Sequence, residues 1–462
     1  MMTNVLDIAA AHAATYLESL GNRPIVAAAG ISELRGRLGK PLPEAAMPAE
    51  AVIDELVRDA EGGILGSGSG RFFGWVIGGA LPVAVAADWL TSAWDQNAAS
   101  NATAPAEAVV EEICGAWAKE LFGLPSSASF AFVTGCQMAH TTALAAARHK
   151  LLADRGWDVE KKGLVGAPAL RILTTENRHE SIIRSARLLG LGSAAIDYVS
   201  SDNMGRIEIG ELGAALRRLG DVPVVVCLQA GDLNTGVFDP FERACEVAHA
   251  AKAWVHIDGA IGLWAAASER YRHLLNGAEA ADSWATDAHK WLNVPFESGL
   301  VFVAHAAAHR GAFAQETSYS IPHDDLRNQK DWNPEWSRRG RGFPVYAAMR
   351  ALGRSGIAEI VDRCCAHAAR LVGGIGRLPN AEVVAAPTIN QGLVRFLSRN
   401  GDHDGFTDEV IRRIQAKGVA WFGGATWRGM RVMRISVCNW RTTDDDIDRT
   451  LATIREALTD HG

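Results

Sequence analysis

The chain has 462 residues, 48% of them hydrophobic and 21% charged, with a formal net charge of −7. This is ordinary globular composition, too long for one small core, and its mild acidity excludes a basic nucleic-acid binder or a protein held on an acidic membrane. The seven cysteines are odd in number, scattered and without a Cys-x-x-Cys pair, which excludes a disulfide scaffold and fits free thiols in a reducing compartment.

At the N-terminus Asp7 precedes any apolar run and no basic stretch stands before it, so no signal peptide is expected. The first seventy or so residues read as helices, with a polar, Pro-containing patch from Lys40 to Pro48. The Gly/Ser stretch from Gly62 to Gly70 reads as a loop; it follows no strand and is no nucleotide fingerprint. The apolar run Phe72 to Ala87 is broken by Gly74, Gly78, Gly79 and Pro82 and is too short to span a bilayer. A soluble, cytoplasmic protein with no membrane or nucleic-acid partner is expected.

From about residue 125 short β-branched or aromatic runs alternate with Ala-rich helical stretches. Strands are predicted at Ser129–Val133, Arg171–Thr175, Pro223–Leu228, Trp254–Ile257, Asp282–Thr286 and Leu300–Val303. Helices are predicted at Met138–Leu152, Glu180–Leu189 and Pro240–Ala251. This alternation argues for an α/β fold with a mostly parallel sheet. Leu300–Val303 follows its predecessor too closely for a crossover and is expected to run antiparallel. After residue 355 come a long helix, strands at Leu393–Phe396 and Arg431–Val437, and a last helix from Thr443. The expected division is an N-terminal helical segment 1–80, a large α/β domain 81–355 and a small α+β domain 356–462.

In open parallel sheets ligands bind beyond the carboxyl ends of the strands. Following each predicted strand leads to Thr134-Gly135-Cys136-Gln137, then Glu176 to His179, then Gln229 to Gly236 with Asp232, then Asp258, then Asp287-Ala288-His289-Lys290. A Thr-Gly turn opening a helix presents free N–H groups to a phosphate. A carboxylate at the end of an apolar strand can hold a pyridinium nitrogen protonated. A lysine in an apolar, aromatic setting loses its charge more readily and can form an imine with an aldehyde. A histidine can stack on the ring and move a proton. Taken singly, each has an ordinary explanation in a tight turn, a backbone cap, a solvated lysine or a helix-start histidine. One ligand, pyridoxal 5′-phosphate, accounts for all of them together.

With these motifs the chain resembles the group II pyridoxal-phosphate decarboxylases, which include the aromatic-L-amino-acid, glutamate and histidine decarboxylases. The resemblance lies in Asp282 to Leu292 around Lys290, in Trp254 to Ala260 around Asp258, and in Asn177 to Ile182 around His179. Thr134 to Gln137, Gly231 to Asp239, Phe72 to Trp94 and Ser337 to Arg341 also have family counterparts, so similarity runs from about residue 70 to the C-terminus. The resemblance implies the type I (aspartate aminotransferase-like) fold, with the large domain holding the cofactor, and a homodimer with active sites at the subunit interface. It implies a Schiff base on Lys290, Asp258 on the pyridine nitrogen, His179 over the ring and Ala260 on the ring's other face. It places the phosphate on turn 135–137, with Asp287 or His289 nearby.

The resemblance also shows departures. Asp232 replaces a threonine near the cofactor hydroxyl, and Cys136 and Gln137 stand where small hydroxyl residues are common. In the family the segment corresponding to Gln315–Asp331 is a lid whose tyrosine protonates the carbanion. Here that position falls on Gln329, and the segment's one tyrosine is Tyr319. The implied reaction is decarboxylation of an L-amino acid to its amine, with Tyr319 or His179 returning the proton. The alternatives are an aldehyde-forming oxidative outcome, lyase or transaminase chemistry on the same cofactor, or a non-catalytic scaffold. Phe72, Trp75 and Trp94 fall where relatives shape the substrate pocket and suggest an aromatic substrate; Arg71 or Arg341 would serve an acidic one.

Overall fold

The computed structural model of the chain describes residues 2–315 and 327–459. Two compact units make it up: Ala80–Ala369 with Ala385–Gly392, and Met1–Gly79 with Arg370–Val384 and Leu393–Gly462.

The first unit is built on a seven-stranded sheet. Its strands are β1 (Ser129–Val133), β2 (Arg171–Thr174), β3 (Ile196–Tyr198), β4 (Val224–Gln229), β5 (Trp254–Asp258), β6 (Ser283–Asp287) and β7 (Gly299–Val303). Their spatial order is β1-β7-β6-β5-β4-β2-β3. Strands β3, β2, β4, β5 and β6 pair in parallel, while β7 is antiparallel to both β6 and β1. The mostly parallel sheet with one reversed strand is the expected one. Every position of β4 is buried, as a strand covered on both faces requires. Strand β3 was not expected. It has three residues at the sheet edge and only Ile196 is buried, so it lacks the apolar run that marks the others.

Since β1 and β6 both oppose β7, all the ligand-bearing strand ends fall on one edge. Strand β7 also sets the spacing there. Gly299 is in register with Val133 on β1 and with Asp287 on β6. A Cβ on Gly299 would lie 2.5 Å from the Gly135 Cα, so only glycine lets the two backbones touch.

The helix Pro105–Phe122 carries two buried carboxyls, Glu107 and Glu111. Arg338 Nη2 lies 2.7 Å from Glu111 Oε1, and the Gly342 N–H donates to Glu107 Oε1 at 2.6 Å. Burial, and then the nearby Glu111, pushes Glu107 up to about 8. An unfolded glutamate ionises near ~4.3. Between those values the folded state holds the extra proton, so stability is full below the unfolded value and falls as pH rises through the folded one. Glu107→Gln is therefore expected to flatten the decline of Tm between about pH 5 and about pH 9 and to raise Tm at the upper end. A decline as steep as the parent's would refute the assignment.

The second unit contains most of a four-stranded sheet, β8 (Ala381–Ala385), β9 (Gln391–Phe396), β10 (Gly423–Trp427) and β11 (Met430–Ser436), in the order β10-β11-β9-β8. The helices His403–Lys417 and Asp444–Thr459 and the N-terminal helices Met2–Ser19, Ile31–Leu38 and Ala49–Ala60 complete it. The long helix Gly342–Gly376 is broken at Gly353, whose φ of 58° is a left-handed value suited to glycine. Among the described residues no helix is long and apolar enough to cross a membrane.

Candidate active site

Period-two alternation along β5 puts Trp254, His256 and Asp258 on one face. Asp258, the last residue of β5, receives the Ala260 N–H on Oδ1 at 3.1 Å. Cys136 Sγ lies 3.9 Å from the same oxygen, and His140 Nε2 lies 3.4 Å from Oδ2. Burial works against this carboxylate, but His140, with His179 and Lys290, outweighs it and holds the carboxyl well below the usual range. An aspartate kept ionised in a buried site is what a protonated pyridine nitrogen requires.

Lys290 stands just beyond β6, its side chain 19% exposed, with Nζ 3.0 Å from Asp287 Oδ2. Burial disfavours its ammonium, yet Asp287 and Asp258 raise its proton affinity above the ordinary lysine value. Asp287 also receives the Cys136 N–H on Oδ1 at 2.6 Å, at the start of the helix Cys136–Ala153. Asp287 thus meets both the lysine and the N–H that opens the helix, so that N–H is not free for a phosphate. His289 accepts the Ser298 N–H on Nδ1 at 3.2 Å and lies with Nε2 3.6 Å from Asp287 Oδ1. Burial lowers its proton affinity.

His179 caps the helix Glu180–Leu188, its Nδ1 accepting the Ser181 N–H at 3.2 Å. Burial lowers its proton affinity as well. The neutral ring therefore carries its proton on Nε2. Thr134 and Gly135 continue β1 and are partly exposed, and a Cβ on Gly135 would come 3.2 Å from His289 Cε1. The Gln137 amide turns along its own helix to Thr141 Oγ1 at 3.4 Å.

Asp232 Oδ1 closes its own turn, accepting the N–H groups of Asn234 and Thr235, each at 2.8 Å. The Arg341 guanidinium bonds Glu297 Oε1 at 2.6 Å and Glu335 Oε2 at 2.8 Å. Arg71 donates to the Val419 and Gly21 carbonyls at 2.6 and 2.9 Å. Trp94 packs edge-on against Phe343 with centroids 4.9 Å apart. In the second unit Phe72 and Trp75 gather on Trp421, centroids 4.9 and 4.3 Å away. Sequence reasoning missed Trp421; its signal was Gly74, where a Cβ would strike that ring at 2.0 Å. Tyr319 lies outside the described residues. Gln329 is 1% exposed, and neither of its amide atoms has a hydrogen-bond partner among the described residues.

A lysine beyond a strand end, an ionised aspartate on the neighbouring strand, a neutral histidine and a glycine turn opening a helix fit pyridoxal phosphate. Together with the sheet they define a type I pyridoxal-phosphate enzyme. The family model described as "Pyridoxal-dependent decarboxylase conserved domain" matches residues 33–399, and the chain belongs to that family. Its cofactor is accordingly pyridoxal 5′-phosphate and its reaction class amino-acid decarboxylation. It is 29% identical over 389 residues to the L-2,4-diaminobutyrate decarboxylase of Rhizobium meliloti, covering 81% of this chain and 76% of that protein. It is 24% identical over 454 residues to the aromatic-L-amino-acid decarboxylase of Bacillus atrophaeus, covering 95% and 92%. The crystal structure of Oryza sativa TDC with PLP and tryptamine superposes with a TM-score of 0.93 at 21% identity over 99% of this chain and 97% of that one, a likeness of fold.

Proposed function

We propose that the chain decarboxylates an L-amino acid with an aromatic or other apolar side chain, acting as a cytoplasmic homodimer. The observation that carries the reading is Lys290 Nζ, 3.0 Å from Asp287 Oδ2, in a site whose Asp258 is held ionised. When bound, pyridoxal phosphate supplies the ring into which the electrons of the breaking bond to the carboxylate drain. Lys290 would hold the cofactor through Nζ, with Asp287 as its counter-ion. Asp258 keeps the ring nitrogen protonated. His179 would support the ring, and it or Tyr319 would return the proton to the substrate α-carbon. The Gly135 and Gln137 N–H groups, with His289, would hold the phosphate, the Cys136 N–H being taken by Asp287.

The apolar substrate is supported by the engagement of both Arg71 and Arg341 in the protein's own bonds, which leaves neither for an acidic side chain. The dimer reading is supported by exposed Leu6, Leu42 and Leu56 on and between the N-terminal helices, at 64, 91 and 53%. The cytoplasmic reading is supported by the cysteines, all buried and none paired.

The test is carbon dioxide release from a panel of aromatic, acidic and basic L-amino acids with added pyridoxal phosphate. Release from an aromatic member with a matching amine is expected. Release only from an acidic or basic member overturns the substrate class. An aldehyde in place of the amine, with oxygen consumed, turns the reading to the oxidative outcome, and no release from any member sinks it.

A further inference from the structure

The helix Cys136–Ala153 is rich in alanine and buried, yet it carries His140, 1% exposed. His140 Nδ1 lies 2.9 Å from His256 Nε2 on β5, the two rings perpendicular at 89°. His256 Nδ1 lies 2.9 Å from Ser283 Oγ on β6, and the Trp254 Nε1–H donates to that same hydroxyl at 2.8 Å. The register that pairs His256 with Ser283 builds this line of groups through the sheet. At its other end His140 Nε2 lies 3.4 Å from Asp258 Oδ2 and 3.4 Å from Cys136 Sγ.

The line has a direction. An indole N–H only donates, so Ser283 accepts from Trp254 and has one proton left to give. Its other side-chain partner among the described residues is His256 Nδ1, and a buried hydroxyl that gave its proton to nothing would be costly. Burial pushes His256 down to about 3, so its ring is neutral and bears a single proton. With Nδ1 accepting, that proton sits on Nε2 and is donated to His140 Nδ1. His140 must then carry its own proton on Nε2, facing Asp258.

We infer that His140 is a positioning residue for the cofactor, set by the Trp254–Ser283–His256 relay to present a donor to Asp258 and keep that carboxylate ionised against the cofactor's ring nitrogen. The inference rests on the proposed role of Asp258. A lone histidine could offer Asp258 either a proton or a lone pair; the relay leaves only the first. The other titratable groups facing Asp258 are Cys136 on the same helix, Cys227 on β4, His179, Asp287 and Lys290.

The experiment measures pyridoxal-phosphate affinity and the pH dependence of bound-cofactor absorbance in the holoenzyme, with Asp258→Asn, His140→Phe and Ser283→Ala. Ser283 touches neither Asp258 nor the cofactor. Both relay variants are expected to bind the cofactor roughly tenfold more weakly and to move the acid limb of the absorbance profile up by about one pH unit. If Asp258→Asn loses affinity while both relay variants match the parent in affinity and profile, the relay is overturned and the reading of Asp258 stands. If Asp258→Asn also matches the parent, the underlying reading falls with it. Should His140→Phe not fold, the imidazole 15N spectrum of the native holoenzyme decides by itself. Protons on Nε2 of both His140 and His256 support the relay; a proton on His256 Nδ1 overturns it.

Discussion

Lys290→Ala is expected to cost at least about a thousandfold in turnover and to abolish borohydride-fixed attachment of the cofactor. On the proposed reading Nζ would hold the cofactor covalently, and the substitution removes it outright. It also strands Asp287, which is 2% exposed and keeps only the Cys136 N–H at 2.6 Å and the more distant His289. A modest fall in Tm should therefore accompany the loss, on the order of the 1 to 3 kcal/mol that a buried unpaired polar group costs. Turnover and borohydride labelling, measured on the same preparation with its Tm, separate loss of chemistry from loss of fold. A Lys290→Ala protein that remains active and labels as the parent does would end the assignment.

Asp258→Asn should leave a folded protein whose turnover falls on the order of a thousandfold, about 4 kcal/mol of transition-state stabilisation. An amide cannot hold a pyridinium by charge, so the ring becomes a poorer electron sink. The same change replaces the carboxylate partner of His140 with a neutral group and removes the main positive influence on the His179 proton affinity. Steady-state kinetics should show the loss in kcat more than in KM, since Asp258 acts on the developing carbanion and not on the substrate. A loss confined to KM would mean that Asp258 serves binding alone.

Much of this was legible in the sequence. Strands β1, β5 and β6 are short apolar runs buried along almost their whole length, and their polar successors mark the strand ends where Asp258, Asp287 and Lys290 stand. The edge strand β3 was hidden because Asp197 and Tyr198 face partly outward. His140 was passed over because one histidine in an Ala-rich helix looks like any helical polar residue until β5 and β6 lie beneath it. The partners of Arg341 and Arg71 were hidden for a related reason. An arginine awaiting a substrate carboxylate and one neutralised by Glu297 and Glu335 are the same letter, and only folding brings the partners together. Asp287 was legible as a site residue but not in its contacts, since its carboxylate meets both the turn that opens a helix and the lysine beyond β6.

Strand β7 gives the site a place in time as well as in space. It is the strip that joins β1 to β6, and the Ser129–Val303 contact on it closes a loop of 174 residues. Long loop closures are slow steps on a folding pathway. The Gly135 turn and Lys290 come into register only when that closure is made, so a nascent chain can have most of its parallel strands and still be unable to hold its cofactor. On the proposed reading, competence to bind pyridoxal phosphate would arrive late in folding, and the holoprotein would report that the whole sheet has closed.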